Sequence, residues 1–240
     1  MQSQKMNKYN IELNHLYNEI HKCHICPKMD PYKVTRNINA VSLKSDVFII
    51  SQALAREQLR LSGINFFNKE GIIGNTGKNL EKFLNKFDRT TYPENEIKLS
   101  CDITIPKCLP NYIPVYNTEI TQCYPGKNNK GDRPPISSEI YNCISQNFFL
   151  NEISLIRPKL LLLMGRISYE IFFKHILNEN IEYSLSKYIS IIEDSKIPSR
   201  VINNIIIYIL PIQHASGANP RFSKMIQNKT LIDKIIKCLN

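Results

Sequence analysis

The sequence predicts an α/β fold, a three-layer sandwich in which helices flank a central, mostly parallel four-stranded sheet. Short apolar runs alternate along the chain with stretches whose apolar residues recur at helical spacing. Each run is almost continuously apolar, which is typical of parallel strands that are covered on both faces. The chain has 240 residues, of which 42% are hydrophobic, and this is enough for one domain with a single core.

Five segments have the spacing of amphipathic helices. Thr76 is a suitable N-cap for the second of them. Pro134 and Pro135 precede the third, as proline often does at a helix start. The helices are expected at residues 11–20, 76–87, 136–156, 167–177 and 223–238.

Four apolar runs predict the strands of the sheet. Prolines interrupt the pattern between the first two runs, so residues 88–114 are expected to be an inserted excursion within a single domain, 1–240. Ligands of parallel sheets bind beyond the carboxyl ends of the strands, which directs attention to the segments that follow each run. The strands are expected at residues 46–51, 115–122, 159–164 and 205–210.

The charge balance favours a polyanionic partner. The chain carries 31 Lys and Arg against 21 Asp and Glu, a formal net charge of +10. Cationic side chains displace counterions from a phosphate backbone, although a merely basic protein is equally compatible with this excess. The polar N-terminus and the absence of an apolar run near the ~20 residues that cross a bilayer predict a cytoplasmic protein with no membrane partner. We expect a monomer.

The seven cysteines are expected to stay reduced in that compartment, where metal ligation is commoner than disulfide formation. Cys23-x-x-Cys26 is the spacing of a metal-binding pair, and Cys123 and Cys143 can complete four thiolates. Spacing alone leaves zinc and iron–sulfur open. It also leaves open that Cys123 and Cys143 are small buried hydrophobic residues.

The order of motifs around these cysteines is more specific. Cys123 is followed by Tyr-Pro-Gly, Cys143 closes a Glu-x-x-x-Cys segment, and Arg157-Pro-Lys leads into an apolar run that ends at Gly165. This order resembles the iron–sulfur uracil-DNA glycosylases, families 4 and 5, over most of the chain outside 88–114. The resemblance implies the uracil-DNA glycosylase fold, a DNA partner and a structural [4Fe–4S] cluster. Its implied ligands are Cys23, Cys26, Cys123 and Cys143.

The segment His214-Ala-Ser-Gly-Ala-Asn resembles the second motif of the same superfamily, with alanine where proline is usual. The resemblance implies that His214 stabilises negative charge on O2 of a departing pyrimidine, since such a group binds charge that exists only late in the reaction. It also implies that Ser216, Gly217 and Asn219 contact DNA. A surface histidine in a turn is the plain alternative. No lysine lies in a recognisable nucleophile motif, which predicts a monofunctional enzyme.

The first superfamily motif is matched more loosely, by Ser-Gln-Ala-Leu-Ala-Arg at 51–56. Gln52 corresponds to a residue of the base pocket, and Ala53 lies where some relatives carry the aspartate that orients water. Glu57 is a nearby acid that could replace it. Phe66 is implied to stack on the flipped base, with Phe67 as a competitor for that role.

Two substitutions suggest which base is excised. Glu119 lies where uracil-excising relatives usually have asparagine, and an ionised carboxylate only accepts, which suits the N4 amino group of cytosine. Ala55 lies where strict uracil enzymes place a tyrosine against C5. Together they predict a C5-modified cytosine, such as the hydroxymethylated or glucosylated cytosine of phage DNA, and a defence role. If the register is shifted, Asn117 reads the base, and uracil in base excision repair is the alternative.

Basic residues near these motifs are predicted to contact phosphates, although each could equally be a solvated charge. A catalytically inactive DNA-binding module is the alternative of another class, favoured by Ala53 and Ala215. A zinc-stabilised nucleic-acid protein is a third. The predicted phosphate contacts are Lys127, Lys130, Arg133, Arg221 and Lys224.

Overall fold

The computed structural model describes residues 2–29, 36–53, 63–129, 131–217 and 219–240. The α/β class is confirmed: a mostly parallel sheet is flanked by helices. The sheet has five strands instead of four, because a short antiparallel strand is added at one edge. In spatial order the strands are β10 (Ser199–Ile202), β11 (Ile205–Ile212), β9 (Leu160–Met164), β1 (Val47–Ala53) and β6 (Tyr116–Thr121).

The four predicted strands run parallel to one another, in registers that pair Val47 with Leu160, Leu160 with Tyr208 and Ser51 with Glu119. Every residue of β9 is buried because helices cover both faces of the sheet. The added strand β10 has exposed as well as buried residues. It therefore has no continuous apolar run and was not predicted from the sequence. The carboxyl ends of β1, β6 and β11 therefore meet at one edge of the sheet.

The helices surround this sheet, and none in the described part of the chain is long and apolar enough to cross a membrane. Short 3₁₀ turns at Ile38–Ala40 and Asn85–Phe87 and a π-helical turn at Phe172–Ile176 supplement them. The helices are α1 (Gln2–Lys22), α2 (Asn75–Leu84), α3 (Ser137–Ser145), α4 (Phe148–Ile156), α5 (Arg166–Ile171), α6 (Leu185–Asp194), α7 (Pro220–Gln227) and α8 (Lys229–Leu239).

Two predicted long helices are each broken into two. The segment 136–156 is interrupted at Asn147, whose φ of 56° is the left-handed conformation that asparagine tolerates. The segment 223–238 is interrupted at Asn228, whose side chain accepts a hydrogen bond from the Leu231 amide and so caps α8. In both cases a local asparagine overrides a continuous apolar pattern.

Other helix boundaries also differ from the prediction. Helix α2 begins at Asn75 with Gly74 as its N-cap, so Thr76 lies inside the helix. The segment predicted at 167–177 is α-helical only to Ile171 and continues as the π-helical turn. Helix α6 was not predicted, although Ser184 caps it by accepting a hydrogen bond from the Lys187 amide.

The excursion 88–114 forms two small pairs of strands. Strand β2 (Arg89–Thr90) pairs with β5 (Ile113–Pro114), and β3 (Ile97–Lys98) pairs with β4 (Thr104–Ile105). A further short pair, β7 (Lys127–Asn128) and β8 (Gly131–Asp132), follows β6. Side-chain contacts tie this segment to the sheet and to α2. Arg89 forms a two-pronged ion pair with Asp46, and Glu81 accepts hydrogen bonds from Thr90 and Thr91.

Candidate active site

Strand β1 ends at the residues of the first motif. Gln52 and Ala53 are half-buried, and the Gln52 carbonyl accepts a hydrogen bond from the Thr121 hydroxyl at 3.4 Å. Ala53 pairs with Thr121 in the sheet, so both strands end at the same level. Ala55 and Glu57 lie outside the described residues.

Phe66 lies beside the start of the edge strand β6 in a restricted conformation. It is 6% exposed and has a φ of 68°, which is uncommon for a residue with a side chain and is often found at functional sites. A Cβ atom on Gly77 would lie 2.7 Å from the Phe66 Cβ, so only glycine fits at that position of α2. Phe67 packs instead against Tyr92, with ring centroids 5.2 Å apart. Phe66 is therefore the phenylalanine that faces the pocket.

The pocket next to Phe66 opens at the edge strand β6. Its polar lining includes the Asn117 amide and the Arg36 guanidinium, and Asn65 donates a hydrogen bond to the Asn117 carbonyl at 2.9 Å. An aromatic ring, an amide and a cation around one concave space are the groups needed to hold a planar polar ring. The described lining residues are Tyr17, Arg36, Asn37, Ala40, Val41, Gly63, Ile64, Asn65, Phe66, Thr91, Val115, Tyr116 and Asn117.

Glu119 lies on β6, where its carboxylate already has partners within the protein. It is 4% exposed, and its carboxylate accepts hydrogen bonds from Arg36 and from Asn117. Burial raises the pKa of Glu119, and the Arg36 guanidinium opposes this rise. Glu119 and Asn117 lie two residues apart on the same face of β6 and contact each other, so both predicted base-reading positions belong to one group.

Arg36 lines this pocket and was not predicted from the sequence. Its partners on β6 lie more than 80 residues away along the chain, and no local spacing marks it. Its guanidinium also lies 5.8 Å from the centre of the Tyr17 ring. A buried glutamate usually needs a cation beside it, and that is the signal that could have prompted a search for Arg36.

His214 follows β11 at the same edge of the sheet. Its ring lies against Gly165, where a Cβ atom would be 3.5 Å from the histidine side chain. The Ser216 amide donates a hydrogen bond to Nδ1 at 3.2 Å. An accepting Nδ1 means that the neutral ring carries its proton on Nε2. The histidine reaches solvent, yet the protein atoms around it lower its pKa by desolvation, which favours this neutral form.

Two asparagine side chains hold the histidine loop. The Asn79 amide, on α2, donates to the Ala215 carbonyl at 3.1 Å, and the Asn219 amide donates to the His214 carbonyl at 3.0 Å. Asn219 also caps α7 through its side-chain oxygen. Its side chain is therefore engaged within the loop, whereas the backbone at Ser216 and Gly217 is more open.

The four predicted ligand cysteines come from three elements: the end of α1, the end of β6, and α3. Burial raises the pKa of the Cys143 thiol to about 12, and Cys123, Cys26 and Cys23 add to this rise. The Asn142 amide donates to the Cys26 sulfur at 3.3 Å, which places Cys26 beside α3.

Four thiols are the usual donor set of an iron–sulfur cluster. The buried Cys143 thiol, whose pKa is raised, would be stabilised as a thiolate by a bound cationic centre. Among the residues that the structure describes, no three His, Cys, Asp or Glu side chains are grouped around one metal ion. The thiolates of a [4Fe–4S] cluster each bind a different iron, so their spacing is wider than around a single ion.

The predicted phosphate contacts differ in their surroundings. Lys127, Arg221 and Lys224 are exposed, and Arg221 donates to the Ser186 hydroxyl at 3.1 Å. Arg133 is instead engaged in a two-pronged ion pair with Glu139, at 2.6 and 2.8 Å, so it supports the start of α3. Lys130 lies outside the described residues.

The comparisons with known proteins agree with this arrangement. No curated protein matches the sequence significantly. The family model described as the uracil DNA glycosylase superfamily matches residues 38–240, which include the whole central sheet, Phe66, Asn117 and His214. The chain belongs to the uracil DNA glycosylase superfamily.

Proposed function

We propose that the protein is a monofunctional DNA glycosylase that flips a pyrimidine out of DNA and hydrolyses its N-glycosidic bond. The observation that carries the proposal is the position of the proton on the His214 ring. Its Nδ1 accepts from the Ser216 amide, so a neutral ring presents Nε2–H as a donor at the carboxyl edge of the sheet. Superfamily membership supports this activity class.

The proposed chemistry follows from charge development. As the glycosidic bond breaks, the sugar becomes cationic and the leaving pyrimidine gains negative charge on O2. A fixed Nε2–H donor at that oxygen is worth more in the transition state than in the ground state. Phe66 would stack on the extrahelical base. Water needs little activation to attack such a cation, so Ala53 is compatible with the reaction, and the strand-end carbonyls at Gln52 and Ala53 would position the water.

For the base, we propose a cytosine that carries a C5 substituent. The support is the buried Glu119, an acceptor suited to the N4 amino group, beside the Asn117 amide. Uracil is the second candidate. It is favoured by the Asn117 amide, which lines the pocket together with Phe66 and can itself donate to O4 and accept from N3–H.

For the cofactor, we propose that Cys23, Cys26, Cys123 and Cys143 hold a [4Fe–4S] cluster. When bound, the cluster would supply structural cross-linking and no step of the reaction. It would fix the end of α1 and the last turn of α3 to the end of β6, the strand that carries Asn117 and Glu119. Lys127, Arg221 and Lys224 are proposed to contact phosphates, since they are exposed.

The substrate is tested with oligonucleotides that carry one uracil, 5-hydroxymethylcytosine or glucosylated hydroxymethylcytosine. Abasic products are revealed as strand breaks after alkaline heating. Strand breaks at either modified cytosine support the first candidate. Breaks at uracil alone would exclude it and leave the second.

Replacing Asn79 with alanine is expected to slow base release about tenfold without weakening DNA binding, since small displacements of a catalytic group are costly. The lost hydrogen bond holds the Ala215 carbonyl next to His214. Single-turnover rates and DNA affinity measure the two effects separately. Asn151→Ala, an exposed substitution on α4, is the matched control, and equal rates in both variants would contradict the role of Asn79.

A further inference from the structure

Arg36 donates hydrogen bonds to four residues of one edge of the sheet, three on β6 and one just after it. Nη1 donates to the Asn117 carbonyl at 2.9 Å. Nη2 donates to the Glu119 carboxylate, to the Gln122 side-chain oxygen at 2.8 Å and to the Thr118 hydroxyl at 3.3 Å. The side chains of Arg36 and Glu119 are only 7% and 5% exposed. The planar guanidinium therefore fixes the Glu119 carboxylate in one position.

The carboxylate in turn fixes the Asn117 amide. An ionised carboxylate can only accept, so the amide must turn its Nδ2 toward Glu119, at 3.2 Å from Oε1. The amide oxygen then faces the Ser51 hydroxyl, which donates to it at 3.4 Å. The second Nδ2 proton and the Glu119 oxygen are consequently a donor beside an acceptor.

This order of donor and acceptor matches one pyrimidine edge and opposes the other. Cytosine offers N3 as an acceptor next to the N4 amino donor, whereas uracil offers N3–H as a donor next to the O4 acceptor. A flipped amide or a protonated carboxyl would reverse the pattern. The group that holds Asn117 and Glu119 in place therefore decides which edge fits.

We propose that Arg36 is a specificity-determining positioning residue, which locks the Glu119 carboxylate and through it the Asn117 amide in the orientation that fits a cytosine edge. The proposal rests on the proposed function, whose substrate it specifies. Burial raises the pKa of Glu119 to about 7 and the nearby Glu152 adds to the rise, while the charge of Arg36 and the hydrogen bonds from Arg36 and Asn117 oppose it. Without Arg36 the carboxyl would hold a proton and the amide could turn.

The test measures binding of the flipped base without cleavage of its glycosidic bond. Oligonucleotides carry one 2′-fluoro nucleotide, which resists glycosidic cleavage, with either 5-hydroxymethylcytosine or 5-hydroxymethyluracil as its base. The two bases share the C5 substituent and differ only at the edge that Asn117 and Glu119 would read. The ratio of the two dissociation constants is measured, because a ratio does not depend on the fraction of correctly folded protein.

The wild-type protein is expected to prefer the cytosine. Arg36→Met should reduce the ratio by at least about tenfold, since truncating one member of a buried charge pair leaves the other unpaired. Arg36→Lys keeps the charge and loses the planar guanidinium, so it should reduce the ratio by less. It replaces Arg36→Met in the measurement if the methionine variant does not fold. Arg89→Met removes an equally well-paired arginine at the opposite end of β1 and should leave the ratio unchanged.

Failure of the inference and failure of the proposed function give different results. An unchanged ratio in folded Arg36→Met or Arg36→Lys would overturn the role of Arg36 while the glycosylase proposal stands. If the wild-type protein binds neither base more tightly than the same oligonucleotide with thymine, the C5-modified substrate is lost whatever Arg36 does, and release of free base from uracil-containing DNA decides whether the glycosylase proposal stands.

Discussion

Replacing His214 with alanine is expected to slow base release by about 10²- to 10³-fold, the usual cost of removing one preorganised donor from a developing oxyanion. The reason is that Ser216 and Asn79 hold the loop so that the neutral ring offers Nε2–H. Single-turnover rates on the preferred oligonucleotide give the measurement. Binding to DNA should change little, since the interaction forms mainly in the transition state.

His175→Ala is the matched control for this prediction. His175 is an exposed histidine in the π-helical turn, and its removal should leave the rate unchanged. A His214→Ala variant that releases base at the wild-type rate would remove the chemical role of the ring. The loop would then serve only to contact DNA.

Replacing Cys143 with serine is expected to abolish iron binding and to lower the free energy of unfolding by more than about 4 kcal/mol, as loss of a structural metal site does. Cys143 is buried in α3, and the proposed cluster would join that helix to α1 and to the end of β6. Iron content and visible absorption report the cluster. Urea unfolding followed by circular dichroism reports the stability.

Cys238→Ser on α8 is the control, because Cys238 is only half-buried and was not assigned a ligand role. It should retain iron and change the stability little. Purified wild-type protein that contains one zinc ion and no iron would contradict the cluster proposal. It would support the zinc-stabilised alternative instead.

The sheet could be predicted because its strands carry their own signal. Residues such as those of β9 are buried on both faces, and burial on both faces forces a continuous apolar run. The helix breaks at Asn147 and Asn228 carry a weaker signal, since an asparagine is tolerated inside a helix as well as at its end. Strand β10 was missed because an exposed edge strand needs few apolar residues.

The site was predictable only in part, because some of its residues lie in local motifs and others are brought together only by the fold. Phe66, Asn117 and His214 lie in motifs or at strand ends, so their positions follow from local sequence and the parallel topology. Arg36 and Asn79 act on residues 83 and 136 positions away, and such contacts leave no mark in a local pattern. The acceptor at Glu119 was predicted, but its pairing with Arg36 was not, because Arg36 lies outside every motif.

Identification of the released product by mass spectrometry tests the glycosylase activity most directly. Wild-type protein is incubated with an oligonucleotide that carries one 5-hydroxymethylcytosine, glucosylated hydroxymethylcytosine or uracil. We expect a free pyrimidine base together with an intact sugar–phosphate backbone that carries an abasic site. DNA binding without free base from any of the three oligonucleotides would contradict it and would identify a DNA-binding module that has lost catalysis.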